Sequence, residues 1–178
     1  MPTRTSLMPD PKEMTEWETA WAGAGEPVGE HESPAGPQAT VLEMALVGCG
    51  LANDGLIMEP YLVAGVYNAS GERSYSATPT RLQQAVSAAT AERVRNVLKG
   101  VVTRGTGTSA AVSGVAVAGK TGTAERGDGS DDVWFVGMAP ADDPKVVVAI
   151  VLEKGPSGGA AARSQDVMEA ALSAQGLL

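Results

Sequence analysis

Apolar and polar positions alternate with different periods along this chain, and the longest unbroken apolar run, Val146 to Leu152, holds no polar side chain. Such a run predicts a strand, spanning 145–152 with Lys145, that is covered on both faces. Upstream, Val133 to Met138 and the stretch from Val115 to Ala118 leading into Gly119 and Lys120 also read as strands. With turns at 126–130 and 139–144 they predict an antiparallel meander. Beyond residue 37, helical spacing occurs three times. Thr40 and Glu43 form a capping box before a stripe of Val41, Ala45, Leu46, Cys49 and Ala52, which Asn53, Asp54 and Gly55 end. Residues 90–103 place Val94, Val97, Leu98, Val101 and Val102 on one face, and residues 159–174 place Val167, Met168, Ala171 and Leu172 on the sheet. Between the first two helices, residues 56–58 and 61–67 read as short strands. The alternation of Leu62, Ala64 and Val66 and the turn at 68–71 predict a two-stranded flap reaching about Tyr75. The pattern predicts an α+β fold, an antiparallel sheet packed by helices.

Residues 1–37 carry six prolines and four glycines with little apolar period, and read as a loop-rich or partly disordered lead-in to a domain over 38–178. One short helix over 12–22, with Met14, Trp17 and Trp21 at helical spacing, interrupts it. A length of 178 residues suits one domain. The net charge of -8 disfavours nucleic acid and anionic membrane as partners, because phosphate binding rests on clustered cations. A single cysteine, Cys49, excludes an internal disulfide, and its place on the first stripe assigns it to packing. A single histidine, His31, excludes a His-rich metal site, and its loop-rich surroundings make it a solvent-exposed side chain. No metal or cofactor is expected. Neither a secretion signal nor a membrane-spanning run is visible.

Candidate chemistry concentrates where the strand ends in Gly119, Lys120, Thr121, Gly122 and Thr123. Side chains alternate along a strand, so Thr121 and Thr123 share one face, Lys120 takes the other, and Gly122 leaves room for an approaching backbone. One ligand can use both faces only at a sheet edge. There, unpaired backbone groups accept an extended peptide, two hydroxyls bind a carboxylate, and the Thr123 amide faces a developing oxyanion. A strand ending in a polar turn explains the same residues equally simply. Gly114 through Thr121 also satisfies the spacing of a phosphate-binding loop. Its intervening Val-Ala-Val-Ala is strand-forming, however, and a turn rather than a helix follows.

Lys120-Thr121-Gly122 resembles the Lys-Thr-Gly element of penicillin-binding proteins and β-lactamases. Flanking stretches strengthen the likeness to penicillin-binding transpeptidases: Gly119 to Glu125, Val133 to Pro140, and Asp142-Asp143-Pro144-Lys145 before an apolar strand. Upstream, Thr40 to Val47, Leu51 to Gly55, Met58-Glu59-Pro60, Val101-Val102 and Gly105 to Thr108 look like the elements that precede it. The resemblance covers roughly residues 37–175 in family order. It implies a serine D,D-transpeptidase that cross-links peptidoglycan stem peptides through an acyl-enzyme and binds β-lactams. Lys120, Thr121, Gly122 and Thr123 would bind substrate, with Lys120 and Thr123 also catalytic: Lys120 would hold the local electrostatics, and the Thr123 amide would form half of the oxyanion hole. The family works outside the cytoplasmic membrane, held there by an anchor.

The departure is equally specific. No serine is followed three positions later by lysine, and none begins a Ser-x-Asn triplet. The acylating nucleophile and its base are therefore expected to lie on a preceding segment, with this chain the C-terminal portion of a transpeptidase domain that neither acylates nor turns over alone. A non-catalytic carboxylate- or peptide-binding module that keeps the edge strand is the alternative. In the family the 146–152 strand is interior to a five-stranded sheet. An open edge there would self-associate or pair with the N-terminal half of the domain. The Gly105 to Thr108 cluster reads as a connecting turn.

Overall fold

The computed structural model describes residues 5–8, 10, 12–23, 37–126 and 128–178. His31, and the prolines and glycines of 24–36, lie outside the described residues. The chain divides into two compact units, Met1–Met44 and Ala45–Leu178.

In the first unit, helix α1 (Glu16–Gly23) starts four residues later than its apolar spacing suggests. Its start is set by a capping box that the spacing did not reveal. The Thr15 amide donates to Glu18 Oε2 at 2.7 Å, and the Glu18 amide donates back to Thr15 Oγ1 at 3.3 Å. Met14 therefore precedes the helix, while Trp17 and Trp21 stack one turn apart with ring centroids 5.2 Å apart. Thr40 caps helix α2 (Val41–Ala52) by accepting from the Glu43 amide at 3.1 Å. The reciprocal half of that box is replaced: the Thr40 amide donates to Ser6 Oγ.

Within the second unit, the core is a three-stranded antiparallel sheet in the order β5 (Ala118–Glu125), β6 (Asp131–Ala139), β7 (Val146–Leu152). Helix α4 (Gly159–Ala174) lies on β6 and β7, and helix α3 (Ala88–Arg104) lies against β5. The meander is as expected, but β5 begins at Ala118. Val115 makes only an isolated bridge with Val112.

Phe135, Val133, Val148, Met168 and Leu172 meet under α4, with Val102 of α3 and Ala110 completing the cluster. Period 2 along β6 and β7 explains the set, since register places Val133 opposite Leu152 and Phe135 opposite Ile150. On the reverse face Ala118, Met138 and Ala141 pack with Leu51, Leu98 and Val147. Here α2 approaches by glycine rather than by its large side chains: a Cβ on Gly48 would stand 2.7 Å from Val147 Cγ1 and 3.0 Å from Val136 Cγ1. This corrects the stripe expected for α2. Gly48 and Gly50 are the buried positions, whereas Val41 and Cys49 are exposed, because the helix is apolar nearly all round and contact goes where the backbone can come closest. Cys49 nonetheless has enough apolar surroundings that desolvation raises its thiol pKa.

Three more expectations change. Val97 is 72% exposed and Val167 46% exposed, since the sheet packs against the Leu98/Val102 side of α3 and the Met168/Leu172 side of α4. The flap exists as β2 (Gly65–Tyr67) paired with β3 (Arg73–Ser76), but Tyr61 to Ala64 stay outside it, and Leu62 and Val66 are exposed. Its turn is held instead by Asn68 Oδ1, which accepts from the Ser70 and Glu72 amides. A strand not anticipated, β4 (Arg81–Gln84), pairs with β1 (Leu56–Met58). β7 is half-buried at every position except buried Val148, so it is not covered on both faces among the described residues.

The far end of the β5–β6 hairpin is fastened by charge. Arg126 holds Asp132, the Lys154 ammonium donates to Asp128 Oδ2 at 2.8 Å, and Ser130 donates to Asp128 through its amide and hydroxyl. Lys154 and then Ser130 lower the Asp128 pKa from 3.8 to about 2. The ordering these bonds confer is therefore complete above the ordinary carboxylate pKa and is lost as pH falls from 3.8 through about 2. A carboxyl-carbon NMR titration is expected to find Asp128 near that low value, and Lys154→Ala to return it toward 3.8. An unchanged titration in that variant would remove Lys154 as the cause.

Candidate active site

Strand order makes β5 an edge of the sheet: it pairs with β6 on one side and with no strand on the other among the described residues. Ala118 and Gly119 are buried against the core, Lys120 is exposed, Thr121 and Gly122 are half-buried, and Thr123 onward is exposed. The strand thus leaves the core at the position where its polar side chains begin.

Register fixes the faces. Lys120 lies opposite Val136, on the side that α2 covers, and Thr121 and Thr123 lie opposite Phe135 and Val133, on the side that α4 covers. The alternation read from the sequence is present. The Lys120 ammonium donates to the Thr121 carbonyl at 2.5 Å, which holds the side chain back along its own strand. A Cβ on Gly122 would stand 3.3 Å from Cβ of its cross-strand partner Trp134, a tight distance.

Gly119 is different. Its absent Cβ would lie 2.3 Å from Phe135 Cζ, and that of its cross-strand partner Gly137 would lie 2.4 Å from Phe135 Cε1. The ring fills the space both glycines leave. Residues 118–125 form one continuous strand rather than a loop entering a helix, which overturns the phosphate-loop reading, because such a loop must turn its amides inward around phosphate.

One contact was not foreseen. Thr106 Oγ1 lies 2.7 Å from Thr121 Oγ1. By sequence Thr106 reads with its neighbours as a connecting turn, and its adjoining glycines are the only sign there of a built loop.

A hollow of about 400 Å³ lies elsewhere, lined by Leu46, Cys49, Met58, Tyr61, Val146 and Val147 among others. It includes none of residues 119–123. Among the described residues no group of side chains could hold a metal ion, and no helix is long and apolar enough to cross a membrane.

The family model for the penicillin binding protein transpeptidase domain matches residues 12–173. The chain belongs to that family. Among solved structures it is similar to the D,D-transpeptidase domain of a peptidoglycan glycosyltransferase from Eggerthella lenta, with 61% identity, a TM-score of 0.93, and coverage of 100% of this chain and 44% of that one. It is also similar to penicillin-binding protein A from M. tuberculosis in an imipenem acyl-enzyme complex, with 31% identity, a TM-score of 0.70, and coverage of 82% of this chain and 32% of that one. Among curated proteins it is 37% identical over 122 residues to the peptidoglycan D,D-transpeptidase PbpA of Mycolicibacterium smegmatis, covering 65% of this chain. This chain spans only 24% of that relative's length. It spans 21% of the M. tuberculosis penicillin-binding protein PbpB, to which it is 36% identical over 75% of its own length.

Proposed function

We propose that this chain forms the carboxylate-binding wall of a penicillin-binding D,D-transpeptidase active site, the nucleophilic serine being supplied by a segment outside it. The observation that carries this reading is the free edge of β5, where Lys120, Thr121, Gly122 and Thr123 leave the core together. A peptide or a β-lactam lying along that edge gains backbone hydrogen bonds from the strand. Thr121 and Thr123, on one face, donate to its carboxylate. Lys120, the only cation between Val115 and Glu125, supplies positive potential beside it. The carbonyl of residue 121 and the amide of residue 123 point to the same side of a strand, so the Thr123 amide takes up the oxyanion beside the carbonyl that Lys120 contacts. The enzyme would act on peptidoglycan stem peptides outside the cytoplasmic membrane.

The test is a hybrid domain in which this chain replaces the matching segment of the Eggerthella lenta transpeptidase domain, which supplies the serine. The hybrid is expected to take a fluorescent penicillin covalently, and the chain alone to take none. Lys120→Ala should slow labelling roughly thirtyfold and Thr121→Ala about tenfold, the scale of one lost charge-assisted contact each. A folded hybrid that takes no label, or label on the chain alone, would sink the proposal. An unlabelled hybrid that still binds a D-Ala-D-Ala peptide through Lys120 would move the chain to a binding module.

The second edge of the sheet carries a partner reading. β7 is apolar at all seven positions, ends the sheet, and begins beside the hollow that Leu46, Met58 and Val146 line. Strands from the rest of the domain would pair there and fill the hollow. Without them the chain is expected to self-associate, and Val148→Lys to abolish folding or association; a monodisperse monomer at high concentration by light scattering would count against this pairing.

A further inference from the structure

We infer that Thr106 is a positioning residue for carboxylate capture, holding the Thr121 hydroxyl so that its proton faces the ligand; this rests on the role proposed for Thr121 above. The two hydroxyl oxygens are 2.7 Å apart, so one donates to the other. A hydroxyl has one proton and two lone pairs, and a carboxylate only accepts. When a carboxylate is bound, Thr121 must give it that proton, and its bond to Thr106 survives only with Thr106 as donor. Ligand binding therefore sets the direction of the pair. The chain from Thr106 through Thr121 to the carboxylate then runs donor to acceptor throughout, each bond polarising the next.

The loop holding Thr106 is built for placement. The amides of Gly105 and Gly107, on either side of it, both donate to the Val101 carbonyl, at 3.2 and 3.0 Å. A Cβ on Gly105 would stand 2.9 Å from the Val101 backbone, and one on Gly107 would stand 3.3 Å from Phe135. Gly105 brings the loop closer to α3 than a side chain permits, Gly107 lets it sit tightly on the core ring, and the Ala110 amide closes it by donating to the Gly107 carbonyl at 2.9 Å. Thr106 is the exposed side chain between two anchored neighbours. Its hydroxyl bonds across to the strand while its backbone is held to the helix.

The test uses the hybrid domain and two ligands that differ only at the carboxylate: benzylpenicillin and its methyl ester. Thr106→Val, equal in shape but without the hydroxyl, is expected to lower the acylation rate by benzylpenicillin about tenfold while leaving the rate with the ester within about twofold of the parent hybrid's. Thr106→Ser, which keeps the hydroxyl, should restore the benzylpenicillin rate. Equal rates with benzylpenicillin in parent and Thr106→Val would overturn the inference, and so would an equal loss with both ligands, which marks a structural role. A parent hybrid that takes neither ligand overturns the transpeptidase reading itself, and this inference with it.

Discussion

Phe135→Ala is expected to destabilise the hybrid domain by about 4 kcal/mol, a fall of roughly 10 °C in melting temperature for a domain above 150 residues. Phe135 is the only phenylalanine of the chain and is wholly buried. Its ring packs among Val102, Val133, Met168 and Leu172 and also roofs Gly119 and Gly137, so truncation opens a void that no neighbour can close without moving a strand. Calorimetry or circular-dichroism melting reads the loss. A drop below about 1 kcal/mol would mean that the ring is not close-packed in this way.

Gly119→Ala should cost on the order of 3 kcal/mol through the opposite fault, overpacking. The new methyl would stand 2.3 Å from Phe135 Cζ, and the ring has nowhere to retreat because Gly137 and the α4 side chains surround it. The strand must shift instead, and it carries Lys120 and Thr121. Labelling by penicillin should therefore fall together with stability. Combining the change with Phe135→Leu removes ring atoms from the contested space, so the double variant should be more stable than the sum of the two single losses implies, by about 1 kcal/mol or more. Strict additivity in that cycle would rule out the clash as the cause.

The sequence made the meander, the C-terminal helix and the Lys-Thr-Gly strand legible because each rests on a local period: two along β6 and β7, helical along 159–174, and a polar break after Gly119. It was less informative where a contact is set by closeness rather than by period. Gly48 packs α2 on the sheet because it lacks a side chain, and a hydrophobic stripe cannot announce a glycine. Val97 and Val167 look like core residues by spacing, yet no described element covers them. β4, with the composition Arg-Leu-Gln-Gln, has no strand-forming signature and exists through its pairing with β1. At the site, Lys120, Thr121 and Thr123 could be placed on their faces from alternation alone. Thr106 could not, because fifteen residues separate it from Thr121 and only the fold joins them.

The seating of Phe135 over two glycines also bears on how the proposed active-site wall can change over generations. Thr123 and Ala124 of β5 are exposed, so exchanges there are expected to have little effect on folding. Gly119, immediately before the lysine, is bound to the hydrophobic interior, so a variant there is expected to weaken both the proposed β-lactam capture and the fold. On the role proposed for this strand, change under β-lactam pressure is expected on its solvent side, and a compensating change at residue 135 is the first place to look in a lineage that has altered Gly119.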